Sequence, residues 1–146
     1  MNRSDPWKSY RQVATQTASP GQLVLMLYDG AIRFLDRARA GFSKEDPVEF
    51  NETIHNNIQR AQDILNELNA SLNLEAGGEL AATLRRLYLY LDWRLVQSNL
   101  KKEARGVEEA IERLTILREA WATMLAGQMQ AQAGDRSPGR VEMVAA

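Results

Sequence analysis

Residues 46–72 read DPVEFNETIHNNIQRAQDILNELNASL, and the spacing of their apolar side chains decides the fold. Ile54, Ile58, Ala61, Leu65, Leu68 and Leu72 follow one another at steps of four and three, the pattern of a helix that buries one stripe as in a coiled-coil seam. Asp46 before Pro47 supplies the start: a carboxylate to cap free backbone N–H groups, then a ring whose fixed φ suits the first helical position. Upstream, Ser19-Pro20-Gly21-Gln22 combines a cap, a proline and a capping-box glutamine, after which Leu23, Leu27, Gly30, Ala31, Phe34 and Ala38 line one face until Gly41. Downstream, Asn73 through Gly78 read as a turn, and Leu80, Leu84, Leu87, Leu91, Leu95 and Ser98 resume the rhythm. A fourth stripe follows Arg105-Gly106 with Val107, Ala110, Ile111, Leu114, Leu117, Trp121 and Leu125. No segment alternates with period two. Four amphipathic segments on short connections bury their stripes only against one another, so the sequence predicts an all-α, antiparallel up-down-up-down four-helix bundle. Residues 1–131 make the single bundle domain, opening on a short segment over 5–17. Residues 132–146, with Gly134, Ser137, Pro138 and Gly139, are expected to form a flexible, disordered tail.

Composition narrows the function classes. A chain of 146 residues with 45% hydrophobic and 25% charged side chains can bury a core without metal or disulfide staples. Eighteen basic residues against 19 acidic leave a net charge of -1, so no field gathers nucleic acid or anionic lipid, and neither is expected as a partner. The absence of cysteine excludes disulfides, thiolate nucleophiles and cysteine-ligated metal sites, and suits the cytoplasm. Met1 through Trp7 carry no apolar export signal, and nowhere do about 18 apolar residues run together to span a bilayer.

Little in the chain invites catalysis. Glu52 and His55 stand at the E-x-x-H spacing used by di-iron carboxylate bundles. Such a site needs a second copy of the motif and two more inward glutamates, and His55 is the only histidine. Because Ile54 occupies the seam, its neighbours point sideways or outward. The expectation is no metal, no cofactor and no enzyme activity, with a bundle enzyme or metal carrier built on Glu52 and His55 as the rival class. Glu109 and Arg113, one helical turn apart among Glu108, Glu112 and Arg105, read as a solvated ion-pair surface.

More distinctive is apolar surface in excess of what one core stripe requires. The first helix adds Leu25, Tyr28, Ile32 and Leu35, and the third adds Tyr90, Trp93 and Leu100 outside its seam. Leaving such side chains in water forgoes about 1.5–3 kcal/mol each, so something is expected to cover them. The segment carrying Trp7, Tyr10 and Val13 can fold back over a groove, apolar helices of a partner can enter it, or two copies of the chain can meet there. These readings stay open on the residues alone.

The run TASPGQLVLMLYDGA over 17–31 resembles the opening of the FliS family of flagellin export chaperones. Four later stretches resemble it in order and spacing: Gly77 to Ala81, Leu87 to Tyr90, Arg94 to Asn99, and Arg118 to Trp121. The resemblance spans about Tyr10 to Trp121. It implies a cytoplasmic helical bundle that binds the disordered carboxy-terminal segment of flagellin, prevents premature polymerisation and delivers the subunit to the export gate protein FlhA. In the family an apolar residue and a tyrosine near the amino terminus serve that docking, positions held here by Trp7 and Tyr10. Trp7 is larger than the family's common aliphatic residue, and Leu89 stands where the family usually has an acid between two tyrosines. On this reading the chain is monomeric or weakly dimeric. Flagellin then lies on the outer stripe of the first helix and the adjoining face of the third, with Leu25, Tyr28, Ile32, Leu91, Leu95 and Asn99 as contacts. The Asn99 amide either meets the frayed backbone of the guest or caps the third helix. Tyr28→Asp and Ile32→Asp are then expected to abolish the complex and leave helical content intact.

Overall fold

The computed structural model describes residues 19–135. They form four helices: α1 (Pro20–Gly41), α2 (Pro47–Ala70), α3 (Leu74–Lys101) and α4 (Arg105–Asp135). The start signals work as written. Ser19 Oγ accepts from Gln22 N at 3.2 Å while Gln22 Oε1 accepts from Ser19 N at 3.1 Å, closing the capping box of α1. Asp46 accepts from Glu49 N at 3.0 Å to cap α2, and Asn73 from Ala76 N at 3.0 Å to cap α3. The stretch over 73–78 is therefore a helical turn rather than an open loop. It breaks from the rest of α3 at Gly78, whose φ of 56° and ψ of -132° is open to glycine and strained for any residue with a Cβ.

Each helix packs against its neighbours in sequence, and α4 closes the ring against α1, so α1 and α3 occupy opposite corners. The core is Ile54, Ile58, Ala61, Leu65 and Leu68 from α2, as the spacing predicts, with Leu84, Leu91 and Leu95 from α3 and Val107, Ala110, Leu114 and Trp121 from α4. At its centre the Tyr28 and Tyr88 hydroxyls, both on buried side chains, hydrogen-bond at 2.5 Å across the α1–α3 diagonal. Burial pushes both phenols up from 10.0. Trp121 Nε1 donates to the Gly21 carbonyl at 2.8 Å, and Arg118 Nε to Asp29 at 2.8 Å, fastening α4 to α1.

Three details depart from the sequence reading. The inward face of α1 is centred on Val24, Tyr28, Ala31, Leu35 and Ala38, which turns Leu23 and Leu27 to the half-buried flank. Leu80, assigned to the seam of α3, is 52% exposed, because the inward position at this level belongs to Ala81. Finally α4 continues to Asp135, four residues past the boundary expected at 131; residues 136–146 lie outside the described part.

Gly106 sets the approach of α3 and α4. A Cβ there would stand 2.7 Å from the Arg94 carbonyl oxygen and 2.8 Å from Ser98 Oγ. The first of these is backbone and cannot rotate away. Ser98 also donates to the Glu103 carbonyl and accepts from Val107 N, so its hydroxyl has no free rotamer to yield. Gly106→Ala is expected to destabilise the fold by about 1–3 kcal/mol despite alanine's better helix propensity. The thermal midpoint should fall by several degrees, and an unchanged or raised midpoint would show that the crossing relaxes freely.

Candidate functional site

The residues singled out in the sequence scatter over this bundle. Tyr28 is 2% exposed and Leu91 and Leu95 are 0% exposed, so these three expected contacts are core side chains. The reason is geometric: Tyr28 points to the diagonal that Tyr88 shares, and Leu91 and Leu95 belong to the inward stripe with Leu84 and Ser98. Leu35, placed on the same outer stripe of α1, is 0% exposed as well. Leu25 and Ile32 are half-buried against the core, on the flank of α1 that carries Asp29 towards Arg118 of α4. Since α1 and α3 are diagonal, the outer stripe of α1 and the face of α3 do not adjoin, and the single groove expected across them is two separate surfaces. Trp7 and Tyr10 lie outside the described residues.

Asn99 is half-buried and engaged: its Nδ2 lies 2.9 Å from His55 Nδ1, and Lys102 Nζ donates to its Oδ1 at 2.5 Å. The amide thus ties α3 to α2 beside the left-handed Lys102 (φ 53°) that ends α3. Burial lowers the pKa of that lysine from 10.5. Glu52 is exposed, and among the described residues no cluster of three or more His, Cys, Asp or Glu side chains could hold a metal.

What the bundle does leave open is a stripe on the outer face of α3. Leu89 is 56% exposed, Trp93 55%, Val96 38% and Leu100 76%, at steps of four, three and four. It is a second seam pointing away from the core, about 17 Å long at 1.5 Å per residue. Tyr90, 40% exposed, widens it, with its ring 6.3 Å from that of Trp93. The sequence reading found Tyr90, Trp93 and Leu100 but not Leu89 and Val96, although the four-three step that links Trp93 to Leu100 runs through both.

On the α4 side a charged network borders the stripe. Glu109 accepts from Tyr90 Oη at 2.8 Å, from Arg94 Nε at 2.8 Å and from Arg113 Nε at 3.1 Å, and Arg113 stacks 5.9 Å over the Tyr90 ring. The Arg94 hydrogen bond, helped by those of Tyr90 and Arg113, holds the Glu109 carboxyl below its ordinary 4.5 against the desolvation that raises it. A depressed folded-state pKa gives stability that is complete above the unfolded value and lost as pH falls through the folded one. Glu109→Gln is therefore expected to lose at most about 1 kcal/mol at neutral pH. Its thermal midpoint should also fall less steeply than that of the unaltered chain as pH drops below 4.5. Parallel acid limbs would mean that the network contributes nothing in solution.

This surface offers apolar contact edged by fixed polar groups, which is what a docking face needs. Among the described residues no helix is long and apolar enough to cross a membrane. Residues 3–128 match the model of a family described as "Flagellar protein FliS". A flagellar secretion chaperone FliS from Salmonella typhimurium is 42% identical over 119 residues, covering 78% of this chain and 85% of the relative. Its counterpart from Bacillus subtilis is 36% identical over 121 residues, 83% and 86% of the two chains. The Escherichia coli protein is 32% identical over 123 residues, 81% and 88%.

Proposed function

The chain belongs to the FliS family of flagellar secretion chaperones, and from that premise we propose that it binds the disordered carboxy-terminal segment of flagellin in the bacterial cytoplasm. There it keeps the subunit from polymerising early and hands it to the export gate protein FlhA. The observation that carries this reading is the outward seam of Leu89, Trp93, Val96 and Leu100, apolar surface that the bundle's own packing leaves in water. Terminal flagellin segments that become helical only on assembly are apolar and unpaired beforehand, the guest such a face suits.

The contacts are accordingly assigned to the α3 stripe, with Asn99 at its α2 edge and with Leu25 and Ile32 on the separate α1–α4 flank for a segment that wraps around the bundle. Tyr28, Leu91 and Leu95 act from inside, by holding the helices that present those faces. A wrap of that extent buries about 2,000 Å² or more, while ordering the guest costs about 2–5 kcal/mol of the gross interaction, which keeps the complex releasable. Trp7 and Tyr10 serve the gate step, so their variants should retain flagellin and lose FlhA.

Co-purification decides the central claim. Flagellin retaining its carboxy-terminal segment should co-elute with the chain, and flagellin lacking it should not. Light scattering separates the rival: a monomer or weak dimer whose mass changes on adding flagellin supports the chaperone. A stable dimer indifferent to flagellin means that the α3 stripe meets its own copy.

A further inference from the structure

Arg85, Asp92 and Asn99 stand at steps of seven on α3, along the edge of the stripe that borders α2. The two outer members are tied to α2: Arg85 Nε donates to Asn69 Oδ1 at 3.1 Å, and Asn99 Nδ2 lies 2.9 Å from His55 Nδ1. These two pairs share one antiparallel register, which sets Asp92 level with Gln62. The middle member breaks the series. Asp92 is half-buried, yet its carboxylate makes no hydrogen bond or ion pair with another described residue, and neither does Gln62. No basic side chain stands one turn away on its face. Tyr88, Leu89, Leu95 and Val96 occupy the positions three and four residues distant on α3, and α2 brings Gln59, Gln62 and Asn66 to this level. Arg94 turns the other way, to Glu109 of α4 at 2.8 Å.

We infer that Asp92 is a specificity-determining residue of this docking face: it accepts a lysine or arginine of the guest where the guest crosses the stripe between Leu89 and Val96. The inference rests on the flagellin-binding reading and adds a charge requirement to it. Among the described residues no buried side-chain oxygen lacks a partner, so in the free chain the Asp92 carboxylate reaches solvent. Leu89, Trp93 and Val96 stand around it, and a guest that covers them strips that solvent away. An apolar or acidic guest residue at this point leaves a desolvated carboxylate without a partner, which opposes binding. An ammonium or guanidinium replaces the lost water with a charge-assisted hydrogen bond. Apolar contact alone accepts a greasy segment in several registers, whereas one unmatched charge rejects every register that brings no cation opposite it. Glu109, on the α4 edge, has no such role, because its oxygens already accept from Tyr90, Arg94 and Arg113.

The test uses the full chain and a carboxy-terminal flagellin segment as probe, with affinity read by calorimetry. Asp92→Asn keeps the shape and removes the charge, and should bind about tenfold more weakly; Asp92→Lys should bind about 100-fold more weakly. Both should hold a thermal midpoint within a few degrees of the unaltered chain, since the carboxylate has no partner in the described bundle to lose. Asp63→Asn, the same change at an exposed position of α2, should leave affinity unchanged. Charge reversal identifies the partner. Among probes in which each lysine or arginine is changed to glutamate in turn, one should bind Asp92→Lys more tightly than it binds the unaltered chain. Affinity of Asp92→Asn within twofold of the unaltered chain, or no reversed probe that prefers Asp92→Lys, would each overturn the inference while leaving the chaperone reading in place. If the unaltered chain fails to bind the probe, the chaperone reading itself falls.

Discussion

Tyr28→Asp is expected to unfold the protein rather than merely to release its partner. The side chain is 2% exposed and its hydroxyl meets that of Tyr88 at 2.5 Å in the middle of the bundle. Truncating a buried aromatic costs about 3–5 kcal/mol. Orphaning the Tyr88 hydroxyl adds about 1–3 kcal/mol, and a carboxylate set in that space must be desolvated as well. Together these reach the whole stability of an ordinary domain, about 5–15 kcal/mol. Far-UV circular dichroism should show most helical signal lost at 25 °C, or a midpoint lowered by tens of degrees. Tyr28→Phe, which removes one oxygen and orphans another, should cost only about 1–3 kcal/mol and leave the helices formed. Ile32→Asp, on a half-buried flank, should fall between the two. Near-native helicity and midpoint in Tyr28→Asp would mean that the diagonal contact does not exist in solution.

That prediction reverses the one drawn from sequence, and the reason is instructive. Helical period alone identifies the rows on a helix but not which row faces in. On α1 two adjacent rows are apolar, Leu23-Leu27-Ala31-Phe34-Ala38 and Leu25-Tyr28-Ile32-Leu35, and the inward direction bisects them. The partner helices set that direction: Trp121 at Gly21 and Arg118 at Asp29 fix the turn of α1 against α4. On α2, by contrast, a single apolar row runs between polar ones, so Ile54 through Leu68 were legible as core without further information. The caps at Ser19 and Asp46 were legible for the same reason, being local.

The site was less legible because it depends on which helices adjoin. A reading that joins the outer faces of α1 and α3 treats the bundle as if its corners were neighbours. In an up-down-up-down ring the first and third helices are diagonal, and only α2 and α4 border α3. Leu91 and Leu95 could then be mistaken for groove residues when their row is the inner seam of α3. The outer row was visible in principle, since Leu89, Trp93, Val96 and Leu100 repeat the four-three step half a turn away. What sequence could not supply was that no other part of the described bundle covers it.

The double variant Trp93→Asp with Leu100→Asp should separate binding from folding more sharply than any other change. With 55% and 76% of their surfaces already in water, the two side chains contribute little to the packed bundle. Their replacement should cost about 0.5 kcal/mol each in helix propensity and shift the midpoint by a few degrees at most. At an interface the same side chains have the character of anchors. Large apolar groups of this kind are worth about 2–4 kcal/mol each when truncated, and a charge facing an apolar guest is worse. Affinity for the carboxy-terminal flagellin segment, read by calorimetry, should therefore drop by more than about 100-fold. Ile116→Asp makes the contrast: that side chain is 62% exposed on α4, but Glu112, Arg113 and Glu119 stand within one turn of it, and binding should be unaffected. If the double variant binds within about threefold of the unaltered chain, the flagellin face lies elsewhere on the bundle, and the apolar seam of α3 must be explained by another guest.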